Sequence, residues 1–330
     1  MSETGKSNRI GSTLCSELWT ERACPLCGEV SADILAELSA HAFCDVNFAY
    51  RQECVDQLAL PEGALFPIVR CCGCGFVYSR YLLLPATLSL VYEEVIAPEV
   101  CYQHSTSLKV VKHHVALWQL LLSGLSARLD TLGPVKVLDI GAGWGTFLEV
   151  ARAPGISVYA YETSKRRIDH MRNRNITVLT DLSEVEKCGP YHVICCDQVL
   201  EHVPDPEGMM TVVGRILHDD GIGYLAVPNY GEDVLARQIA LFKEGKAIPK
   251  ELNPWEHLNY FSPDSLRTML RRHVEVIDMQ RENATSTIGL TTLRRRMRDL
   301  SGKSAVTRLL ARLAGDAQVE GTALLFRKKK

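Results

Sequence analysis

No stretch of the 330-residue sequence approaches the ~20 consecutive apolar residues that a membrane-spanning helix needs. The opening MSETGKSNRIGST has no apolar core of the kind a secretory signal carries, so the chain is expected to stay in the cytoplasm. Neither sign of charge is in excess: 37 basic and 39 acidic side chains leave a formal net charge of −2. That balance argues against a nucleic-acid partner. There is no internal repeat, and no low-complexity tract beyond the terminal Lys328-Lys329-Lys330. What remains is ordinary globular material, 46% hydrophobic and 23% charged, long enough for one large domain or two smaller ones. Cysteine is the exception. Twelve are many for a chain with no export signal, and in a reducing compartment they are not expected to form a disulfide framework.

The pattern along the chain divides it. Residues 1–20 read as a flexible leader, 21–80 as an irregular cysteine-rich module, and 81–133 as a helical linker that would cover a ligand site. Apolar positions at helical spacing run through 107–130. From 134 to 330, short apolar runs alternate with helical segments. The runs are 135–140, 156–161, 176–179, 191–196 and 222–227; the helices are expected at 145–152, 164–173 and 207–217. Strand and helix in alternation imply an α/β fold, a doubly wound Rossmann-like parallel sheet buried on both faces. Ser262-Pro263 announces a further helix, with a capping serine and a proline at the first helical position. Strands at 274–280 and 322–328 would add an antiparallel pair at the sheet edge, making seven. Insertions at 229–255 and 285–318 stand outside the alternation. Within the first, 231–252 is expected to cover the acceptor site and close over it; the second is basic and could meet an anionic group or simply present a solvated helix face.

The run VLDIGAGWGTFLEV (137–150) carries three glycines between a strand and a helix. No lysine follows them, which excludes a Walker phosphate loop, and the third glycine arrives one residue early for a dinucleotide fingerprint. Asp139, two residues before Gly141, would repel a pyrophosphate and attract a cation. Glu162 ends the next strand, where a carboxylate can accept both hydroxyls of an unphosphorylated ribose. A ribose, a positively charged amino-acid end and no phosphate describe S-adenosylmethionine.

At these residues the chain resembles the class I S-adenosylmethionine-dependent methyltransferases. VLDIGAGWGTF is similar to their first motif, YAYE to the second, and DQVLEHVPDP (197–206) to the segment after the fourth strand. The resemblance implies that Asp139, Gly141 and Gly143 approach the methionine part of the cofactor and that Glu162 holds the ribose. It also implies that Asp181 and Leu182 flank the adenine, with Asp197 and Gln198 completing the cofactor site.

Two Cys-x2-Cys knuckles, Cys24-Cys27 and Cys71-Cys74, point to one structural zinc ion held by four thiolates. Cys72 would be a spectator; His41, Cys44 and Cys54 are possible substitutes. The surrounding module is acidic, which suits neither DNA nor RNA. Its layout resembles the amino-terminal zinc module of a methyltransferase subgroup that includes the C-methyltransferases of deoxysugar biosynthesis. That resemblance implies a module that helps wall the substrate site.

The candidate chemistry lies in PWEHLNYFS (254–262), on a loop after the fifth strand and therefore beyond the carboxyl ends of the strands, where such sheets bind ligands. Histidine is the natural base near neutral pH. EHLNYFS resembles the EHLSYFS of sugar C-methyltransferases, which implies catalytic roles for Glu256 and His257. A tyrosine that precedes the glutamate in those enzymes is Pro254 here. The expected reaction is therefore O-methylation of a small molecule, a sugar or related hydroxyl, with His257 as base. The alternatives are C-methylation of a nucleotide-linked ketosugar and a non-catalytic zinc-containing binding protein. His202 follows Glu201 as in ubiquinone-pathway O-methyltransferases, whose upstream glutamate is Gln198 here; His202 is expected as a wall residue rather than a metal ligand.

Overall fold

The computed structural model describes residues 18–39, 41, 50–125, 134–246, 252–277 and 321–330. The expected basic insertion at 285–318 lies outside the described residues, as do most of the leader and the end of the helix read over 107–130.

The front of the chain builds two small sheets. β1 (Trp19–Glu21) pairs antiparallel with β5 (Tyr81–Leu83). β2 (Ala32–Ser39), β3 (Leu65–Cys71) and β4 (Val77–Ser79) form an antiparallel meander, with the short helix α1 (Gln52–Val55) between β2 and β3. Trp19 is buried against Phe66 and Tyr81, so the leader expected over 1–20 stops short of it. An indole of that size in a sheet-bounded pocket is withdrawn from water, which overrides the polar character of its neighbours. α2 (Pro85–Leu90), α3 (Pro98–Ser105) and α4 (Leu108–Leu125) follow, and two of the three begin at a proline, whose fixed φ suits the first helical turn.

The main sheet has seven strands: β6 (Val135–Ile140), β7 (Ile156–Tyr161), β8 (Thr177–Leu179), β9 (Tyr191–Asp197), β10 (Leu217–Val227), β12 (Val274–Ile277) and β13 (Thr322–Lys328). Their order is β12-β13-β10-β9-β6-β7-β8, parallel except that β13 runs against both neighbours. The sequence pattern thus gives the right sheet, the antiparallel end included. Successive residues of the central strands enter opposite layers. Val137 and Cys195 join the core under α4 and α5 (Thr146–Ala151); Leu138 and Cys196 join the core on the other face. Both faces being covered is why these strands read as continuous apolar runs. Helices α6 (Lys165–Arg172), α7 (Leu182–Cys188) and α8 (Pro206–Ile216) connect the strands. β10 starts five residues earlier than its apolar run, with a register shift between Leu217 and Ile222 that lets the polar His218-Asp219-Asp220 into the strand.

The insertion after β10 contains α9 (Glu232–Lys243), whose Leu235 and Ile239 pack with Leu38, Ile68 and Val77 of the front meander. β11 (Asn259–Tyr260) then pairs antiparallel with β4, so the EHLNYF loop completes a four-stranded sheet whose other strands come from the cysteine-rich front. α10 (Pro263–His273) starts as expected: the Ser262 hydroxyl accepts from Ser265 N and Pro263 takes the first helical position.

Candidate functional site

The cofactor residues expected from the sequence lie at or just past the carboxyl ends of β6, β7, β8 and β9. All three glycines of the turn have positive φ. Gly141 is the constrained one: a Cβ there would lie 2.6 Å from Val199 Cγ2. Gly143 is the open one, where a Cβ would meet nothing closer than 4.0 Å, leaving space above the turn for a ligand to approach the main chain. Glu162 is buried and ties this turn to the next strand: it accepts from Gly143 N at 2.9 Å, Thr163 N at 2.8 Å and Ser164 N at 2.9 Å. Arg167 reaches within 3.8 Å of the same carboxylate.

Asp139 is buried in the next layer down. Burial, and then the nearby Asp197 carboxylate, push its carboxyl well above the usual range. Two carboxyl groups crowded in this way form a site that a ligand ammonium would relieve. Asp197 is the end residue of β9, and His113 on α4 sits on it, Nε2 to Oδ2 3.0 Å. Gln198 has φ +56, a left-handed conformation rare for a side-chain-bearing residue, and its N donates to Ala226 O at 2.8 Å. Asp181 caps α7 by accepting from Ser183 N at 2.6 Å, and Leu182 is the first residue of that helix, so both lie beyond β8 as an adenine-flanking pair would require. The residues present therefore fit the expected cofactor: an open glycine turn, a buried carboxylate just past the second strand of the sheet, and two further acidic side chains beside them.

The second half of the site is assembled from distant segments. The His257 ring lies with Nδ1 2.9 Å from the Tyr230 hydroxyl. The Glu256 carboxylate accepts from the Tyr50 hydroxyl and, at 3.1 Å, from Asn253 Nδ2, which also donates to the Tyr50 oxygen. Tyr50 is stacked on Trp255, with the rings 6° from parallel. The His202 ring stands 4.8 Å from that of His257, edge to face. Its Nδ1 lies 2.7 Å from the Glu256 main-chain carbonyl. A carbonyl can only accept, so Nδ1 carries the proton and Nε2 holds a lone pair. Burial, then the neighbouring His257, lowers the His202 pKa to about 3, so this imidazole is neutral near pH 7. The Tyr92 hydroxyl is 3.3 Å from the same Nδ1. His202 thus lies against His257.

Among the described residues, two groups of side chains could hold a metal ion. Cys24, Cys27, Cys71 and Cys74 place their sulfurs within 4.8 Å of one another, with Cys24–Cys74 at 3.6 Å and Cys27–Cys71 at 3.5 Å. Four Zn–S bonds of ~2.3 Å in a tetrahedron separate the sulfurs by about 3.8 Å, so the cage fits zinc. The turns beneath it are those of two knuckles: Gly28 N donates to Cys24 O, Gly75 N to Cys71 O, and Cys74 N to the Cys71 sulfur. Cys54 is instead buried with Tyr50 and Phe66, and Cys72 is exposed beside the cage. The second group is Glu201, His202 and His257. Glu201 is buried, neither carboxylate oxygen has a hydrogen-bond partner among the described residues, and burial raises its pKa well above the usual range.

Sequence reasoning missed Tyr50, Tyr92, Tyr230, Asn253 and His113. The three tyrosines carry no motif of their own, Asn253 stands just ahead of the 254–262 stretch, and His113 beside His114 reads most simply as a surface or packing residue; only the chain path brings them to the site. Tyr230 carried one usable signal, its place three residues past the end of β10, at the ligand-binding end of the sheet.

The family described as "Methyltransferase domain" matches residues 111–273. Among curated proteins, the ubiquinone biosynthesis O-methyltransferase of Xanthomonas oryzae pv. oryzae is 30% identical over 124 residues, 34% of this chain and 51% of its own length. That of Vibrio parahaemolyticus is 24% identical over 161 residues, 46% of this chain and 68% of its own. The chain spans about half the length of the first of these relatives. Among solved structures, the plantazolicin methyltransferase BamL, in complex with a triazolic desmethylPZN analog and SAH, covers 70% of this chain and 90% of its own at 12% identity, with a TM-score of 0.47. The seven-stranded sheet, the open glycine turn at the end of β6 and the family match together identify a class I S-adenosylmethionine-dependent methyltransferase domain in this chain.

Proposed function

We propose that the protein transfers a methyl group from S-adenosylmethionine to a hydroxyl of a small molecule, a sugar or related alcohol, with His257 as the general base. The observation that carries this reading is the 2.9 Å contact between the Tyr230 hydroxyl and His257 Nδ1. A base held through one ring nitrogen presents the other in a fixed direction, as an orienting partner does in other acid–base sites. Asp139, Asp197, Gly141, Gly143 and Glu162 would hold the cofactor, with Asp181 and Leu182 at its adenine. When bound, the cofactor supplies an electrophilic methyl group. His257 takes the proton from the acceptor hydroxyl, and Tyr230 keeps the ring in place. Glu256, fixed by Tyr50 and Asn253, sets a negative charge beside the loop and supports the imidazolium that forms. Four thiolates of Cys24, Cys27, Cys71 and Cys74 hold a structural zinc ion. Support for a hydroxyl acceptor comes from the relatives named as O-methyltransferases; support for a sugar comes from EHLNYFS and the cysteine-rich front.

The test is turnover of labelled cofactor with a panel of sugars and nucleotide-linked sugars. His257→Ala should lower the rate by roughly 10²–10⁴-fold, the usual worth of a general base, while leaving calorimetric binding of S-adenosylhomocysteine unchanged. Normal turnover in the variant would return His257 to a structural role. No turnover by the unmodified protein with any acceptor, despite tight cofactor binding, would favour the non-catalytic alternative.

A second reading, C-methylation of a nucleotide-linked ketosugar, is favoured by one feature. Pro254 removes the tyrosine expected beside Glu256, yet Tyr50 and Tyr230 bring phenol groups to Glu256 and His257 from elsewhere in the chain. Carbon-13 NMR of the product separates the two, because a methyl on carbon and one on oxygen resonate far apart.

A further inference from the structure

Arg22 stands two residues before the first knuckle cysteine and belongs to no motif. Its side chain nonetheless joins three separate segments. Nε donates to Ser79 O of β4 at 2.9 Å, Nη1 to Pro204 O at 3.2 Å, and Nη2 to Leu258 O and, at 3.1 Å, to Asn259 Oδ1. The guanidinium also lies over the Tyr78 ring, 5.2 Å from its centroid. All four acceptors are neutral, three carbonyls and one amide, so the contact is not an ion pair held by opposite charge. It is a geometric fit of a planar fork to a set of oxygens.

Asn259 continues the network. Its side chain is fully buried, and Nδ2 donates to Leu200 O and Val203 O, both at 2.7 Å. The main-chain N–H groups of Leu258 and Asn259 donate to Glu201 O at 2.6 and 3.1 Å. The turn that carries Glu201-His202 and the loop that carries Glu256-His257 are thereby fastened together, and Arg22 grips both. Its own N donates to Arg80 O, so the grip is anchored in the front module.

From this arrangement we infer that Arg22, acting through Asn259, is a positioning residue that sets the spacing of His202 and His257 and links it to the cysteine knuckle. The inference deepens the methyltransferase reading, which supplies the role of His257. A lysine in its place has three donors at one point and cannot span the oxygens of Ser79, Pro204 and Leu258 together.

The experiment uses the full chain and does not depend on knowing the acceptor. Amide hydrogen exchange is followed in peptides covering 200–204 and 256–260, alongside zinc content and calorimetric binding of S-adenosylhomocysteine. In Arg22→Ala, protection at these two peptides should fall by about tenfold or more, the scale of losing a hydrogen bond to a charged donor. Zinc content and cofactor affinity should stay within twofold. Added guanidinium ion should restore protection, and ammonium ion at the same concentration should not. Arg22→Lys should be loosened in the same two peptides while keeping the charge, and it carries the test if the alanine variant does not fold. Unchanged protection in the lysine variant, equal rescue by ammonium, or loosening spread evenly over the front module with loss of zinc would each overturn the inference. Failure of the methyltransferase reading has a different signature: no binding of S-adenosylhomocysteine whatever stands at position 22.

Discussion

The cofactor half of the site and the histidine half are built in opposite ways. The first is local. Asp139, Gly141 and Gly143 lie within one turn, and Glu162, Asp181 and Asp197 follow at the ends of successive parallel strands. Its key bonds run to main-chain N–H groups, which any sequence supplies once the turn forms. The second is collective. Tyr50, Tyr92, Glu201-His202, Tyr230 and Asn253 to His257 come from five places in the chain, and most of the contacts among them run between side chains. The loop after the fifth strand is joined to the front module by backbone pairing, β11 on β4, whereas among the described residues the cofactor strands share a hydrophobic core with it but no strand pairing. The teaching of this contrast is that one half depends on backbone geometry and the other on which distant segments are held together.

The contrast can be broken most severely at the knuckle. Cys27→Ser should abolish stoichiometric zinc, measured by elemental analysis, and unfold the front sheets, because zinc binding worth ~10–16 kcal/mol in isolated fingers counts directly toward folding. Exchange protection should then vanish in 65–83 and 256–260 but persist in β6, β7 and β9. Zinc-free protein that keeps its front sheets would remove the metal from the account. A cut on the other side should be smaller and leave the histidine half intact. Glu162→Ala deletes hydrogen bonds to a charged acceptor, each worth ~1.5–3 kcal/mol, and should weaken S-adenosylhomocysteine roughly 10–100-fold in calorimetry. Affinity unchanged in that variant would break the assignment of Glu162 to the ribose.

The smallest effect concerns pH. The Asp139 carboxyl is held well above its ordinary range by burial and Asp197, so the empty site retains a proton as pH falls toward that raised value. An ammonium group between the two carboxyls favours the ionised form and lowers the pKa on binding. Binding therefore releases a proton, and cofactor affinity should weaken as pH drops between the bound and free values. Calorimetry in buffers of differing ionisation enthalpy reads that proton directly. Proton uptake, or none over the acidic range, would contradict the placement of the cationic end at Asp139.

The same contrast explains what the sequence disclosed. The apolar runs of β6, β7 and β9, the glycine turn and the two cysteine knuckles were legible because each is a short-range pattern fixed by burial, backbone conformation or ligand spacing. The helix α7 escaped notice since LSEVEKC is too short and polar to show a face, although Asp181 caps it. Trp19 was assigned to the leader because a single buried aromatic has no periodicity. Glu256 and His257 stood out beside a resemblance, but their immediate partners, Tyr50, Asn253 and Tyr230, did not, and Pro254 suggested a missing phenol where the fold supplies two. Arg22 belongs to no pattern in the sequence; its grip on Pro204 and Leu258 is visible only after the chain has folded.

The two-residue strand β11 has a consequence for exchanging parts between related proteins. Because Asn259 and Tyr260 are paired with Tyr78 and Val77, the edge of the front sheet and the loop around His257 depend on each other although about 180 residues of sequence separate them. A chimera that swaps only the front module would bring a foreign edge to β11 and misplace the histidine it supports. One that transplants residues 18–83 together with 252–262 keeps that seam whole and leaves the seven-stranded sheet unaltered.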